Sequence, residues 1–342
     1  MRVTSIAIAL SLCCTALPFA VSAAGNLNVV CSADVVVCEQ MTRIFSETNP
    51  DINVSMVRLS AGEAYARLRS ESRNPRTDIW WAGTGDPHMQ AAEEGLTQEY
   101  KSPLLAEQHD WAQKQAENSN YRTVGIYAGA LGWGYNTKLV ADKKMKEPLC
   151  WADLLDPGFK GEIQIANPNS SGTAYNTLAT LAQIMGEDEA FEYLKKLNAN
   201  ISQYTKSGSA PVKSAARGET AVGIVFMHDA VAMEVDGFPI KTVAPCEGTG
   251  YEIGSMSIVK GARNLANAKI WYDWALSAKA QSNMKDAKSY QLPSNREAAI
   301  SEFAPRFENI KLIDYDFKTY GDSAKRKALL GRWDKEIGAN AQ

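Results

Sequence analysis

The sequence predicts an α/β fold in two domains, each built on a mostly parallel sheet flanked by helices. Strand-like and helix-like segments alternate along the first part of the chain, a pattern typical of βαβ units. The length of 342 residues suits two domains better than one. A glycine-punctuated extended run at 121–135 is long enough to leave one domain and enter the other, and the chain is expected to return near 252–260.

Three strands predicted near the start of the chain are each followed by small polar residues. The strands are expected at 26–30, 52–57 and 78–81, and the helices between them at about 35–47 and 63–69. Ser32, Gly62 and Thr84 follow the three strand ends. Because the carboxyl ends of parallel strands meet at one edge of a sheet, where ligands bind in such folds, these residues are predicted to line a cleft.

The stretch 161–175, GEIQIANPNSSGTAY, is predicted to join a strand to a helix. Ser170, Ser171, Gly172 and Thr173 open this helix. A helix N-terminus has unpaired N–H groups and the positive end of the helix dipole. Hydroxyl groups beside a glycine, which lets the backbone approach closely, make this end a candidate anion site. Simple capping of the helix is the alternative.

A second candidate position follows the buried strand predicted at 221–227, which ends in His228 and Asp229. A buried charged pair is costly without partners, and this cost favours a functional role. The alternative is a structural role in which Asp229 caps the following helix. Further helices are predicted at 187–198, 212–218, 267–284 and 325–335.

Residues 1–24 have the features of a secretory signal peptide. Arg2 supplies a positive charge, 6–20 is a short apolar run, and small residues place the cleavage site near residue 23 or 24. The run is too short to span a membrane. A lipid anchor on Cys13 is disfavoured because Leu12 precedes it. The sequence therefore predicts an exported protein.

Four cysteines remain after this cleavage, and their even number suggests disulfides in an oxidising compartment. They are Cys31, Cys38, Cys150 and Cys246. Of the three possible pairings, proximity in sequence favours Cys31–Cys38 and Cys150–Cys246. A zinc site is the alternative, but the chain has no CxxC spacing and only 3 histidines. No metal is expected.

Charge and motifs exclude several classes of function. A net charge of −3 and a pI near 5.8 argue against a nucleic-acid or anionic-membrane partner. An exported enzyme, such as a phosphatase using His228 with Asp229, is disfavoured because no GxSxG motif or metal-ligand cluster occurs. Neither catalysis nor a cofactor is expected.

The chain resembles the periplasmic solute-binding proteins of ABC importers, in the branch of the ferric-ion-binding proteins. It is most similar to the AfuA-type hexose-phosphate-binding proteins. The resemblance covers essentially the whole exported chain. It is densest in IQIANPNSSGTAYNTLATLAQ, ANISQYTKSG, AARGETAVGI, the His-Asp pair, CEGTGYEIG and KGARNLANAK.

This resemblance implies a two-lobed, type II-like fold whose lobes are joined by two crossover strands and close on the ligand by a hinge motion. Lobe 1 is expected to comprise 25–125 plus 257–342, and lobe 2 to comprise 126–256. The expected partner is an inner-membrane ABC permease, the expected location is the periplasm, and the protein is expected to be a monomer.

The resemblance also implies a ligand, a phosphorylated small molecule such as a hexose 6-phosphate. The helix start at Ser171-Gly172-Thr173, together with Ser170 and Ser207, would hold the phosphate. The hydroxyls of the sugar would lie at His228, Asp229 and Glu252, alongside Ser32, Gly62 and Thr84. A carboxylate can accept hydrogen bonds from neighbouring hydroxyls, and an imidazole can donate or accept one.

Two departures from the family pattern leave alternatives open. Ferric-binding relatives carry an adjacent tyrosine pair near His228-Asp229, and this chain has no adjacent tyrosines. Relatives also tend to have a serine-rich loop where this chain has Ala61-Gly62-Glu63. If Glu63 faces the cleft, it would favour an amine. An aminoalkylphosphonate, or ferric ion with a synergistic anion, is the alternative ligand.

Overall fold

The computed structural model describes residues 25–340 and shows a two-lobed α/β fold. The predicted signal segment, residues 1–24, lies outside the described residues. Within the described range, none of the helices has both the length and the apolar character needed to cross a membrane.

The sheet of the first lobe has a parallel part and an antiparallel part. Its strands are β1 (Gly25–Cys31), β2 (Ile52–Arg58), β3 (Ile79–Thr84), the short β4 (Thr97–Gln98) and β10 (Tyr251–Val259). β1 lies parallel to β2 and β3, whereas β10 runs antiparallel to β3 and β4. Its helices are α1 (Val35–Thr48), α2 (Ala61–Ser70), α3 (Gly85–Glu93), α4 (Asp110–Asn118), α10 (Leu265–Leu276) and α11 (Ala278–Ser282).

One long strand, β5 (Val124–Asn136), belongs to both lobes. Its first part, up to Ala130, pairs with β10, and its second part, from Leu131, pairs with strands of the second sheet. These strands are β6 (Ile163–Ala166), β7 (Ile201–Thr205), β8 (Val222–Phe226) and β9 (Ile240–Val243). β6 is parallel to β7 and β8, whereas β5 is antiparallel to its neighbours. Both sheets are therefore mixed, because the strands that connect the lobes run against the others.

The second lobe surrounds its sheet with helices. They are α5 (Thr137–Asp142), α6 (Gly172–Met185), α7 (Glu187–Asn198), α8 (Ala210–Ala216) and α9 (Met227–Val235). The C-terminal part of the chain adds the short β11 (Leu292–Pro293), α12 (Phe317–Tyr320) and α13 (Ser323–Glu336).

Each lobe has its own aromatic core. In the first lobe, Phe45 and Trp271 pack with ring centroids 4.7 Å apart. In the second lobe, Trp133 and Trp151 meet edge to face at 5.0 Å. Burial of such large rings is a major source of stability, so each lobe can hold its shape while the connection between them bends.

The C-terminal tail, 311–340, packs against the second lobe, although the sequence places it in the first. Leu329, Trp333 and Ile337 belong to the core that contains Trp133 and Trp151. The amphipathic pattern of α13 predicts a buried face, but it does not show which lobe covers that face. We propose that the first lobe comprises 25–130 and 251–310, and the second 131–250 and 311–340.

Both predicted disulfides are confirmed in the structure. Cys31–Cys38 joins the end of β1 to α1, and Cys150–Cys246 joins two loops of the second lobe that are distant in sequence. With these four sulfurs in disulfides, none is a free thiolate that could bind zinc.

Candidate ligand-binding site

A cavity of about 180 Å³ lies between the two lobes and is lined by residues of both. One water needs only about 10–15 Å³ measured in this way, so the cavity has room for a small organic molecule. It lies where the carboxyl ends of β1, β2 and β3 face the N-terminus of α6. This is the edge at which ligands bind in open α/β sheets.

The residues predicted after the first three strands divide into two groups. Ser32 and Thr84 line the cavity. Gly62 does not. Its N–H donates instead to the carbonyl oxygen of Ser170 across the cleft, at 2.9 Å. A Cβ on Gly62 would lie 2.2 Å from the carbonyl oxygen of Asn169. Gly62 and Ser170 thus form a contact between the lobes.

Ser171, Gly172 and Thr173 line the cavity at the start of α6. Ser171 occupies the N-cap position, but its side chain makes no capping hydrogen bond, so the capping role is not realised. A Cβ on Gly172 would lie 1.9 Å from Oγ1 of Thr84. Only glycine lets this helix end approach the first lobe so closely.

Ser207 lies next to the cavity, which is lined by its neighbours Gly208 and Ser209. Its Oγ accepts a hydrogen bond from Arg58 at 3.0 Å and lies 3.3 Å from Oγ of Ser209. Ser207 thus takes part in a bond between the lobes, and its contact with a phosphate stays a prediction.

Sequence reasoning missed two cationic residues in the cavity wall, Arg58 and Lys213. Arg58 ends β2, and its Nη1 donates to Oγ of Ser60 at 3.0 Å. Lys213 on α8 forms an ion pair with Asp34 at 2.5 Å. The position of Arg58 at a strand end was a usable signal, whereas the approach of Lys213 to Asp34 depends on the tertiary fold.

The environment shifts the pKa values of the charged groups at this end. Burial lowers the pKa of Arg58, and Asp34 partly offsets this effect. Burial alone would raise the pKa of Asp34, but the hydrogen bond and charge of Lys213 hold it below its ordinary value. This end of the cavity therefore carries two fixed cations beside one ionised carboxylate.

His228, Asp229 and Glu252 gather at the other end, as predicted. Nε2 of His228 lies 3.8 Å from Oδ1 of Asp229 and 3.9 Å from Oε1 of Glu252. Asp229 lies in the first turn of α9, whose N-cap is Phe226, so it is not the cap. A Cβ on Gly129 would lie 2.7 Å from Nδ1 of His228, which explains why β5 has a glycine here.

Burial perturbs the pKa of all three groups. It raises the pKa of Asp229 to about 7, with a further contribution from the charge of Asp34. It raises the pKa of Glu252 well above its ordinary value and lowers the pKa of His228 to about 3. Near neutral pH this wall presents a neutral imidazole and two carboxyl groups that hold protons more readily than in water.

Glu63 does not face the cavity. Its Oε2 accepts a hydrogen bond from the N–H of Ser60 at 3.1 Å, at the start of α2. Glu63 therefore offers no partner to an amine.

The cavity is electrically asymmetric. Two cations, the Asp34 carboxylate and a helix N-terminus lie in one part of its wall, and His228, Asp229 and Glu252 lie in another, where the charges of Lys213 and Arg58 still act on Asp229. This arrangement can hold a molecule with an anionic head and a body rich in hydrogen-bond donors.

The chain is similar to several known proteins in sequence and in structure. The chain is 44% identical to an uncharacterized protein of Haemophilus influenzae, over 98% of this chain and 99% of the relative. It is 46% identical to the periplasmic binding protein AfuA of Actinobacillus pleuropneumoniae, whose structure contains fructose 6-phosphate. That similarity has a TM-score of 0.89 and covers 92% of this chain and 99% of AfuA. The periplasmic binding protein P5PA is 39% identical, with a TM-score of 0.88 over 92% of this chain and 99% of P5PA.

A family model for bacterial extracellular solute-binding proteins matches residues 77–319, more than half of the chain. The similarity to AfuA extends over both lobes and includes the two-lobed fold. The chain therefore belongs to the bacterial extracellular solute-binding proteins, periplasmic receptors, not enzymes, that deliver their ligands to ABC permeases.

Proposed function

We propose that this receptor captures a sugar phosphate, such as a hexose 6-phosphate, in the cavity between its lobes. The observation that carries this proposal is the asymmetry of the cavity. Groups able to bind an anion and groups able to accept hydrogen bonds line the same cavity, whose volume is about 180 Å³.

The phosphate would lie at the N-terminus of α6. The N–H groups and hydroxyls of Ser171 and Thr173 can donate to phosphate oxygens, and the helix dipole favours a negative charge there. Arg58 and Lys213 line the same cavity and add positive charge. Charge-assisted bonds of this kind are stronger than those between neutral groups.

The sugar would lie against His228, Asp229 and Glu252. A hydroxyl group can donate to a carboxyl oxygen or to a bare imidazole nitrogen, and it can accept from a protonated carboxyl. A wall whose groups are neutral or partly protonated therefore suits an uncharged polyol. The fructose 6-phosphate held by AfuA, at 46% identity, supports the same class of ligand.

Calorimetry tests this proposal directly. We expect fructose 6-phosphate or glucose 6-phosphate to bind far more tightly than the free sugar or inorganic phosphate, because each fragment fills only one end of the cavity. Recovery of the intact ester after incubation confirms a receptor. The proposal is wrong if no sugar phosphate gives a binding signal while one of the fragments does.

A specific observation favours a second candidate, an aminoalkylphosphonate. In the described part of the chain, no lysine or arginine forms an ion pair with Asp229 or Glu252; the basic group within 4 Å of each is His228. A ligand ammonium would supply the missing cation and ionise both acids. Titration with 2-aminoethylphosphonate separates the two: tight binding of this compound, with none of the sugar phosphates, assigns the receptor to phosphonates.

We further propose that residues 1–24 direct export and are removed near residue 23 or 24. Mass spectrometry of protein from the periplasm should show a mature N-terminus there. A full-length N-terminus in that compartment contradicts the proposal.

A further inference from the structure

A segment of the first lobe reaches across the cleft to His228. We name residues 287–293 the strap. β11, at the end of the strap, pairs with Tyr127 and Ala128 of β5. Earlier in the strap, Nζ of Lys288 pairs with Oδ1 of Asp236, the residue that follows α9, at 2.5 Å. Ser289 and Gln291 of the strap line the cavity.

Hydrogen bonds link the strap to His228 and run in one direction, from Ser289 through Gln291 to the imidazole. The hydroxyl of Ser289 donates to Oε1 of Gln291. This bond turns the amide nitrogen of Gln291 toward His228, and the two Nε2 atoms lie 3.1 Å apart. An amide NH₂ group can only donate. Donation from this amide nitrogen requires a bare Nε2 on His228, which places the ring proton on Nδ1.

The second ring nitrogen, Nδ1, indicates that the surrounding residues impose this tautomer on the imidazole. Nδ1 of His228 is buried and has no hydrogen-bond partner. It faces Gly129, where even a Cβ would lie 2.7 Å away. An unpartnered buried N–H is unfavourable. A ring without constraint would instead place its proton on Nε2, toward Asp229 and Glu252.

We propose that Ser289 and Gln291 are positioning residues that hold His228 as a hydrogen-bond acceptor. With its Nε2 lone pair engaged by Gln291, His228 gives no proton to Asp229 or Glu252, so the oxygens of both acids stay available to ligand groups that donate hydrogen bonds. A ligand with unsubstituted hydroxyls at these oxygens can use them. The ligand class rests on the proposed function, whereas the tautomer does not.

The tautomer is tested by nitrogen NMR of the imidazole rings in the unliganded protein. The chain has only 3 histidines, and His228→Asn identifies the signal of His228. We expect the wild-type signal of His228 to show a protonated Nδ1 and a bare Nε2 at neutral pH. A proton on Nε2 in the wild type overturns the proposal.

Variants of the strap give the causal test. Gln291→Met keeps the length of the side chain and removes the donor, so we expect the ring proton to move to Nε2. Ser289→Ala frees the Gln291 amide to turn and should give a mixture of tautomers. Gln203→Met, on exposed β7, is the matched control and should change nothing. An unchanged tautomer in both strap variants overturns the proposal, and Ser289→Ala decides alone if Gln291→Met fails to fold.

Calorimetry with fructose 6-phosphate tests the consequence for the ligand. We expect Gln291→Met to lower its affinity about 3–10-fold, the loss that one misdirected hydrogen bond produces. Residual binding of inorganic phosphate should not change. Unchanged affinity for the ester refutes the effect of the His228 tautomer on ligand binding. If the wild type binds no sugar phosphate, the proposed function fails, while the NMR result still decides the tautomer.

Discussion

The two ends of the cavity are built in different ways. The cationic end is assembled across the cleft: Arg58 of the first lobe bonds to Ser207 of the second, and Lys213 of the second bonds to Asp34 of the first. The acidic end lies beside the crossover strands, where Glu252 on β10 is paired with Gly129 on β5. Opening of the lobes would therefore dismantle the cationic end and leave most of the acidic end in place.

This difference indicates that the two ends of the cavity have different functions. Groups near the crossover keep their spacing in both states of the hinge and can recognise the body of the ligand. Groups that meet only on closure can report that an anion is present and hold the lobes together. The following changes test that difference, in order of expected effect.

The largest effect should come from the start of α6. The double change Ser171→Ala with Thr173→Val should weaken binding of a phosphate ester by about 1–3 kcal/mol for each lost charge-assisted bond. Calorimetry measures the loss, and Thr173→Ser, which keeps a hydroxyl, is the control. Unchanged affinity in the double variant would remove the phosphate from this helix.

Arg58→Met should lower the affinity for the ester about 10–100-fold, because it removes a partly buried charge and the bond to Ser207. The loss should also appear in closure, as a larger radius of gyration for the liganded variant in X-ray scattering. Arg217→Met, which removes an exposed ion pair with Glu219, serves as the control. Weakened binding with normal closure would show that Arg58 acts on the ligand alone.

Asp229→Ala and Glu252→Ala should each reduce sugar-phosphate affinity at least about tenfold, since each leaves ligand hydroxyls unpaired in a closed cleft. Binding of inorganic phosphate should fall much less. Asp236→Ala, which removes the partner of Lys288 at the cavity wall, allows a comparison with a nearby carboxylate. Equal losses for the ester and for phosphate would mean that these acids do not recognise the sugar.

The smallest effect is on stability and depends on pH. Because the folded protein raises the pKa of Asp229 to about 7, the protonated form of this carboxyl stabilises the fold at low pH. This stabilisation is lost as pH rises from about 4 through 7, since ionisation of Asp229 opposes folding. His228, with its pKa lowered to about 3, acts in the opposite direction, destabilising the fold as pH falls below about 6.5.

These opposing effects partly cancel in the wild type, so the test compares variants. Relative to the wild type, unliganded Asp229→Asn should gain roughly 3–8 °C in melting temperature between about pH 4.5 and pH 8. Asp188→Asn, on an exposed carboxylate, should show no such gain. A constant difference between Asp229→Asn and wild type at all pH values would mean that Asp229 titrates normally.

Sequence reasoning succeeded where structure is local. The start of α6, the strand end at His228 and the Cys31–Cys38 disulfide follow from turn residues, hydrophobic patterns and cysteine spacing within short stretches, and Cys150–Cys246 then follows as the remaining pair. The carboxyl-edge rule correctly placed Ser32 and Thr84 in the cavity wall.

Sequence reasoning did not find contacts between residues that are far apart in the chain and meet only in the folded protein. Gly62 and Ser207 form contacts between the lobes, which sequence reasoning did not foresee, and their contact with a ligand stays a prediction. Lys213 was missed because its partner, Asp34, is 179 residues away in the chain. The apolar face of α13 was recognisable as a buried face, but its choice of lobe depends on the partner surface, to which Trp333 binds beside Tyr204.

Gly172 has a mechanical consequence. A Cβ at this position would lie 1.9 Å from Oγ1 of Thr84, so the hydrogen atom of the glycine sets how closely the two lobes can approach here. A methyl group there would hold the two lobes further apart and change the angle between them, without removing a charge or a hydrogen-bond donor. The side chain of Gly172 thus limits how far the receptor can close. In Gly172→Ala, X-ray scattering should record this as incomplete compaction with ligand, and full compaction would show that the limit lies elsewhere.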